Sequence, residues 1–218
     1  MNSVHISGSM TATIRNTYRH GDLRRALLDA GIELARAGGP DAVVLREATR
    51  RAGVAPNAAY RHFANRDDLL GAVRAAAVAA AARFMEAELE RAPLQGSATE
   101  QARAKVRAVG AGYMRFARDE TGLFRTAFGG QFSVQQQPDP AMGGATGRNP
   151  FEHLSAALDD LVAAGALPAE RRPGAEYLAW STVHGMALLS LDGPLRGTPP
   201  ALLQALGQRL LDMVERGL

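Results

Sequence analysis

The chain has 218 residues, 46% of them hydrophobic, with a formal net charge of +3 and no cysteine. That is enough apolar material for one large domain or two small ones, while the lack of cysteine excludes disulfides, thiol-based redox sensing and thiolate metal sites. No run of eighteen apolar residues is available to cross a membrane, and the N-terminus lacks the apolar stretch of a signal peptide, so a cytoplasmic protein is expected.

Residues 1–18 are polar and aperiodic and read as a disordered arm; Met10 is an alternative start. Arg15 and Arg19 could reach phosphate or a minor groove from this arm, although an idle solvated tail is the simpler reading. A first helix is predicted over 21–37, with Leu23, Ala26, Leu27, Ala30, Ile32 and Leu34 largely on one side, ending at Gly38-Gly39-Pro40.

The stretch 45–70, LREATRRAGVAPNAAYRHFANRDDLL, is the most informative part of the chain. Residues 45–52 are helix-forming, Gly53 can take the left-handed conformation that ends a helix, and Pro56 is pre-set for the first position of the next one. Short helices joined in this way form a helix-turn-helix, whose second helix, here 56–63, enters a major groove. Spacing alone does not require DNA, since the same junction joins helices in any all-α protein. Charge distribution adds to the case: residues 1–74 hold eleven Lys+Arg against seven Asp+Glu, and the remainder hold fourteen against fifteen. Arg24, Arg25, Arg46, Arg50, Arg51, Arg61 and Arg66 all lie close to the motif, and arginine suits both phosphate and guanine edges.

Asn65 can cap a fourth, alanine-rich helix that runs to about Arg91, with Asp67 and Asp68 in its first turn. Ser97 with Glu100, and Asn149 with Glu152, are capping boxes that open further helices, the first of them running through Arg118. Between them, 129–149 is rich in Gly, Gln and Pro and is expected to be a disordered connection or a mobile lid. The last two helices are predicted over 173–191 and 198–216, separated by Asp192-Gly193-Pro194. Leu202, Leu203, Leu206, Leu210, Met213 and Val214 supply more apolar surface than one supporting face needs.

Large side chains of the C-terminal part, namely Tyr113, Met114, Phe116, Phe124, Phe128, Trp180 and His184, could line an apolar pocket, with Tyr113 and Phe128 the weakest members. Trp180 and His184 are four residues apart and share a helix face; either could equally be a packed core residue with one satisfied hydrogen bond. Catalysis finds little support. The histidines are scattered, no hydrolase, nucleotide or metalloprotease motif appears, and the adjacent pair Asp159-Asp160 reads as a solvated face. No His/Asp/Glu set has metal-ligand spacing.

YRHGDLRRALLDAG, LREATRRAGVAPNAAYRHFANRDDLL and, downstream, AWSTVHGMALLSLDG resemble the TetR family of transcriptional regulators. The last segment, with Trp180, His184 and Gly185, is similar to the subgroup whose C-terminal domain is named after Trp, His and Gly. The resemblance covers the chain from about Tyr18 to its end. It implies an all-α protein with a three-helix DNA-binding domain (19–65) and a larger ligand-binding and dimerisation domain (66–218), paired as a homodimer through 173–191 and 198–216. The DNA-binding residues it implies are Arg46, Pro56, Asn57, Tyr60, Arg61, His62 and Arg66, with Tyr60 and His62 on phosphate and Asn57 at a base edge. Ligand-binding candidates are Phe116, Phe124, Phe128, Trp180 and His184. No cofactor is expected beyond an unidentified small-molecule effector, and the partners are operator DNA, that effector and a second copy.

Several positions depart from the family pattern. Ala48-Thr49 stands where Ile-Ala is usual, and Ala59 where a larger apolar residue is usual. Val44 and Ala55 replace hydroxyl residues that cap helices and reach phosphate, each lost cap costing about 1 kcal/mol. The expected function is a ligand-responsive repressor of a palindromic operator. The alternative is a small-molecule-binding helical protein whose DNA-binding element has decayed.

Overall fold

The computed structural model describes residues 20–93, 95–129 and 139–217. The N-terminal arm with Arg15 and Arg19, and residues 130–138 of the predicted connection, lie outside the described residues. The described elements are helical throughout: α1 (His20–Gly38), α2 (Leu45–Ala52), α3 (Pro56–Ala59), α4 (Arg66–Leu89), α5 (Ala98–Asp119), α6 (Thr121–Phe128), α7 (Pro150–Ala163), α8 (Ala175–Leu191) and α9 (Pro200–Gly217). Single 3-10 turns lie at Pro40–Ala42, Pro140–Met142 and Ala169–Arg171. No described helix is long and apolar enough to cross a membrane.

Local chemistry sets most helix starts. The Asn65 side chain accepts the N–H of Asp68 at 2.9 Å, and Ser97 and Asn149 each form a complete capping box, with Glu100 and Glu152. α2 and α3 begin without such help, because Val44 and Ala55 offer no side-chain acceptor. Gly53 ends α2 in the left-handed region, at φ 66° and ψ 30°, which a Cβ would strain. α1 buries Leu27, Ala30, Gly31, Leu34 and Ala35, the stripe of a helix with one covered face; Ile32 and Leu23 lie at its half-buried edges.

The second helix of the motif is shorter than the predicted 56–63. Only Pro56–Ala59 is α-helical, and the next turn tightens, with Arg61 N–H donating to the Ala58 carbonyl and His62 N–H to that of Ala59. The helix starts where expected, so the shortening lies wholly at its C-terminal end, where i→i+3 hydrogen bonds replace the regular ladder. Fully buried Ala59 and Phe63 hold the segment against α1, and the Arg24 guanidinium lies 5.1 Å from the Phe63 ring centre.

α4 is the central element, packed against α1, α5, α6 and α7. Val73, Ala75, Ala77, Val78, Ala79, Ala81 and Ala82 are all buried, so it is covered around most of its circumference. Its approach to α5 is close: a Cβ on Gly112 would stand 2.6 Å from the Cα of Met85. α6, which no sequence signal announced, follows α5 after a break at Glu120, and its Gly122 lies directly against the backbone carbonyls of Ala35 and Arg36 at the end of α1. Arg36 Nε donates to Glu120 at 2.8 Å across the same junction, and Arg74 of α4 donates to the Thr126 carbonyl at 3.1 Å.

The expectation of disorder over 129–149 is corrected for 139–149. This segment forms an ordered strap, because the buried Glu86 carboxylate accepts the N–H groups of Ala145 and Thr146 at 2.9 Å, the Thr146 hydroxyl at 2.7 Å and His153 Nε2 at 3.3 Å. Burial alone would raise the Glu86 carboxyl, but these donors outweigh it and hold it below the ordinary carboxylate range. Burial likewise lowers the pKa of the His153 imidazole, so it is neutral at pH 7 and donates from Nε2. Gly, Gln and Pro composition said nothing of this, since the anchor comes from another helix. Asp159 and Asp160 lie on an ion-paired surface, with Arg172 at 2.8 Å from the first and Lys105 at 2.6 Å from the second.

Two outcomes follow from this packing. Gly112→Ala should lower stability by about 1–3 kcal/mol in urea titration, since the backbone of α4 has to yield. Glu86→Ala should cost a similar ~1–3 kcal/mol by removing the charged acceptor that the strap and buried His153 share, with faster proteolysis within 139–149. A carboxyl with a depressed folded pKa contributes stability that is present above its unfolded value, about 4.5, and lost as pH falls through the folded one. Glu86→Gln should therefore flatten that part of the acid limb.

Candidate functional site

Two regions gather the residues that the sequence singled out. On the helix-turn-helix, Arg46, Pro56, Asn57, Tyr60 and Arg61 are exposed, Tyr60 with 59% of its surface, and His62 and Arg66 are half-buried. The local arginine excess is smaller in effect than its count. Arg50 donates to Glu47 at 2.9 and 2.7 Å and Arg51 at 3.2 Å, which pulls the Glu47 carboxyl down to about 2. Arg25 pairs with Asp29 at 3.8 Å, and Arg24 covers Phe63. Arg66 donates to the carbonyls of Val43 at 2.9 Å and Pro40 at 2.8 Å, fixing the chain just ahead of α2 where a capping side chain is missing. Arg46 and Arg61 are left exposed with no ion pair among the described residues, beside Asn57 and Tyr60 on α3 and its following turn.

The second region is a cavity of about 210 Å³ lined, among the described residues, by α4, α5, α6, α7, α8, α9 and the strap. Its walls are largely aliphatic, from Val78, Val106, Val183 and Leu211, with the aromatic rings of Tyr113, Phe128, Phe151 and Trp180. Of the five ligand candidates, Phe128 and Trp180 line it. Phe116 and Phe124 instead pack behind the wall, fully buried and in edge contact with each other at 6.3 Å, and His184 stands behind Tyr113. Tyr113, ranked among the weakest members, belongs to the wall, as do Val106, Gly110 and Leu211, which carry no chemical signal in sequence.

Tyr113 organises the polar side of this cluster. Its hydroxyl is 2.7 Å from His184 Nδ1 and accepts Trp180 Nε1–H at 3.1 Å. Burial raises the phenol well above its usual range and lowers the His184 imidazole, so both are neutral at pH 7. The tyrosine proton then points at Nδ1, and His184 carries its own proton on Nε2. This is a neutral relay across α5 and α8 with no charge to drive proton transfer. Among the described residues no group of acidic and imidazole side chains converges as a metal site.

A helix-turn-helix with an exposed polar face, joined to a larger helical body that encloses an apolar cavity, defines the class of DNA-binding regulators that carry their own ligand domain. The family models place the chain within that class. Residues 27–73 match bacterial regulatory proteins of the tetR family, and residues 106–214 match the tetracyclin repressor-like C-terminal domain. The chain belongs to the TetR family of transcriptional regulators. No curated protein matches it in sequence. Among solved structures it is similar to a protein of unknown function from Rhodococcus sp. RHA1, with 26% identity and a TM-score of 0.72 over 94% of this chain and 99% of that one. FadR from Bacillus subtilis, in complex with stearoyl-CoA, shares the fold at 17% identity and a TM-score of 0.60 over 89% and 98% of the two chains. PfmR from Thermus thermophilus does so at 18% identity and a TM-score of 0.53, over 88% and 98%.

Tyr113→Phe would leave Trp180 Nε1 and His184 Nδ1 without the hydroxyl between them. A loss of about 1–3 kcal/mol in chemical denaturation, with a shift in Trp180 emission, is the expected outcome.

Proposed function

We propose that the chain is a homodimeric, ligand-responsive repressor of a palindromic operator. The observation that carries this reading is α4, which begins beside the reading element at Arg66 and contributes Val78 and Met85 to the cavity wall. Residues 19–65 would read DNA and residues 66–218 would bind the effector and the second subunit. Tyr60 and His62 would hold phosphates, and Asn57 would meet a base edge, with Arg46 and Arg61 adding positive charge. An effector in the cavity would press on α4 at Val78 and Met85, and on α6 at Phe128, whose Gly122 abuts α1; either movement would change the separation of two reading helices. That the Bacillus subtilis FadR holds stearoyl-CoA supports ligand binding by a domain of this fold.

Dimerisation is supported by apolar side chains left on the surface of the last two helices: Leu178 and Met213 are 64% and 61% exposed, alongside Tyr177, Leu188, Leu189 and Leu202. A two-fold pair reads a palindrome through matching half-sites. A second reading, a ligand-binding protein whose DNA contact has decayed, draws on the uncapped starts of α2 and α3 and on the self-pairing of Arg50 and Arg51.

Anisotropy titration against the DNA flanking its own gene separates the two. Salt-sensitive binding with a sequence preference is expected, Tyr60→Ala weakening all sequences about five-fold or more and Asn57→Ala mainly removing ~1–3 kcal/mol of discrimination. Weak attachment without preference would instead support the decayed element.

A further inference from the structure

Resting on the effector-site reading, we infer that the cavity takes a compact, uncharged, planar aromatic molecule of one or two rings. Size is the first constraint. The cavity, at about 210 Å³, lies between the ~150 Å³ that admits benzene and the ~300 Å³ at which sites for drug-sized ligands begin. A long acyl chain would have to extend beyond this space.

Shape is the second. The rings of Tyr113, Phe128, Phe151 and Trp180 supply flat walls and edges suited to offset or edge-to-face contact with another ring. Charge is the third. Among the described residues two ionised side chains reach the lining, and both already have partners: Arg107 pairs with Asp212 and Glu215 of α9, and Glu152 accepts the Asn149 N–H at 2.8 Å in its capping box. Tyr113 and the histidine behind it are neutral. An ionised ligand would lose its water and could gain a counter-charge only by breaking the Arg107 pairs or the Glu152 capping box, whereas an uncharged ring loses little and covers apolar wall.

Trp180 is the sole tryptophan of the chain and lines the cavity, so its emission reports occupancy directly. The test titrates the full-length protein with 4-bromophenol, a neutral ring bearing a heavy-atom quencher, and with 4-bromobenzoate, the same ring as an anion. Saturable quenching by 4-bromophenol, at least about ten-fold weaker binding of 4-bromobenzoate, and no displacement of 4-bromophenol by stearoyl-CoA are expected. Ala179→Leu, which fills the cavity from α8, should remove the quenching while the helical circular dichroism is kept. Equal or tighter binding of the anion, displacement by stearoyl-CoA, absence of quenching by 4-bromophenol, or quenching unchanged in folded Ala179→Leu would each overturn the inference. Specific operator binding that 4-bromophenol does not weaken, together with the expected quenching, upholds the ligand class and refutes only the regulatory reading of the cavity.

Discussion

A helix surrounded by other helices can carry only small or apolar side chains along the covered part, and α4 is built to that constraint. Its run of alanines lets α1, α5, α6 and α7 approach, and the glycine of α5 opposite Met85 brings two backbones within reach of a single Cβ. Because α4 starts at the reading element and ends beside the strap, the packing that stabilises the core also joins the two functional regions. Interiors this dense are stiff, and Val78 and Met85 place the middle of α4 in the cavity wall. α6 adds a second route, since Gly122 leaves no gap between it and the carbonyls that end α1.

Charge is distributed by the same economy of contacts. Buried Glu86 is stabilised as an anion by donors that converge from the strap and from α7, and in return it orders a segment whose composition favours no structure. On the surface, Glu47 draws Arg50 and Arg51 into local pairs, and Arg66 completes the backbone hydrogen bonding ahead of α2. Exposed pairs of this kind are worth little and exchange readily, so Glu47 holds Arg50 and Arg51 only loosely. Arg66 is different, because moving it would leave two carbonyls without their donor.

Much of the fold was legible because helix starts and stops are written in adjacent residues. Asn65, Ser97 and Asn149 each cap the helix expected of them, and Gly53 takes the conformation that only glycine adopts at little cost. The departures at Val44 and Ala55 were legible too, and α2 and α3 begin without a side-chain cap as those residues imply. α6 escaped because it has no side-chain cap and is held by α1, where Gly122 meets the Ala35 and Arg36 carbonyls, and by Arg36 and Arg74, partners remote in sequence. The cavity was half legible: Phe128 and Trp180 stand in its wall, whereas Phe116 and Phe124, of the same chemical type, lie one layer deeper. An aromatic residue in a helical stripe declares that it will be covered, and does not declare by what.

The sequence by itself determined the helical class, the caps, the turn at Gly53 and the family, because each of these depends on residues a few positions apart or on a motif read in order. Only the tertiary structure decided that Arg66 is held by the Val43 and Pro40 carbonyls, that Tyr113 rather than Phe116 meets the cavity, and that 139–149 is an ordered strap. Those outcomes depend on pairs such as Glu86 with Thr146 and Tyr113 with His184, which lie far apart along the chain and meet only when packing brings their helices together.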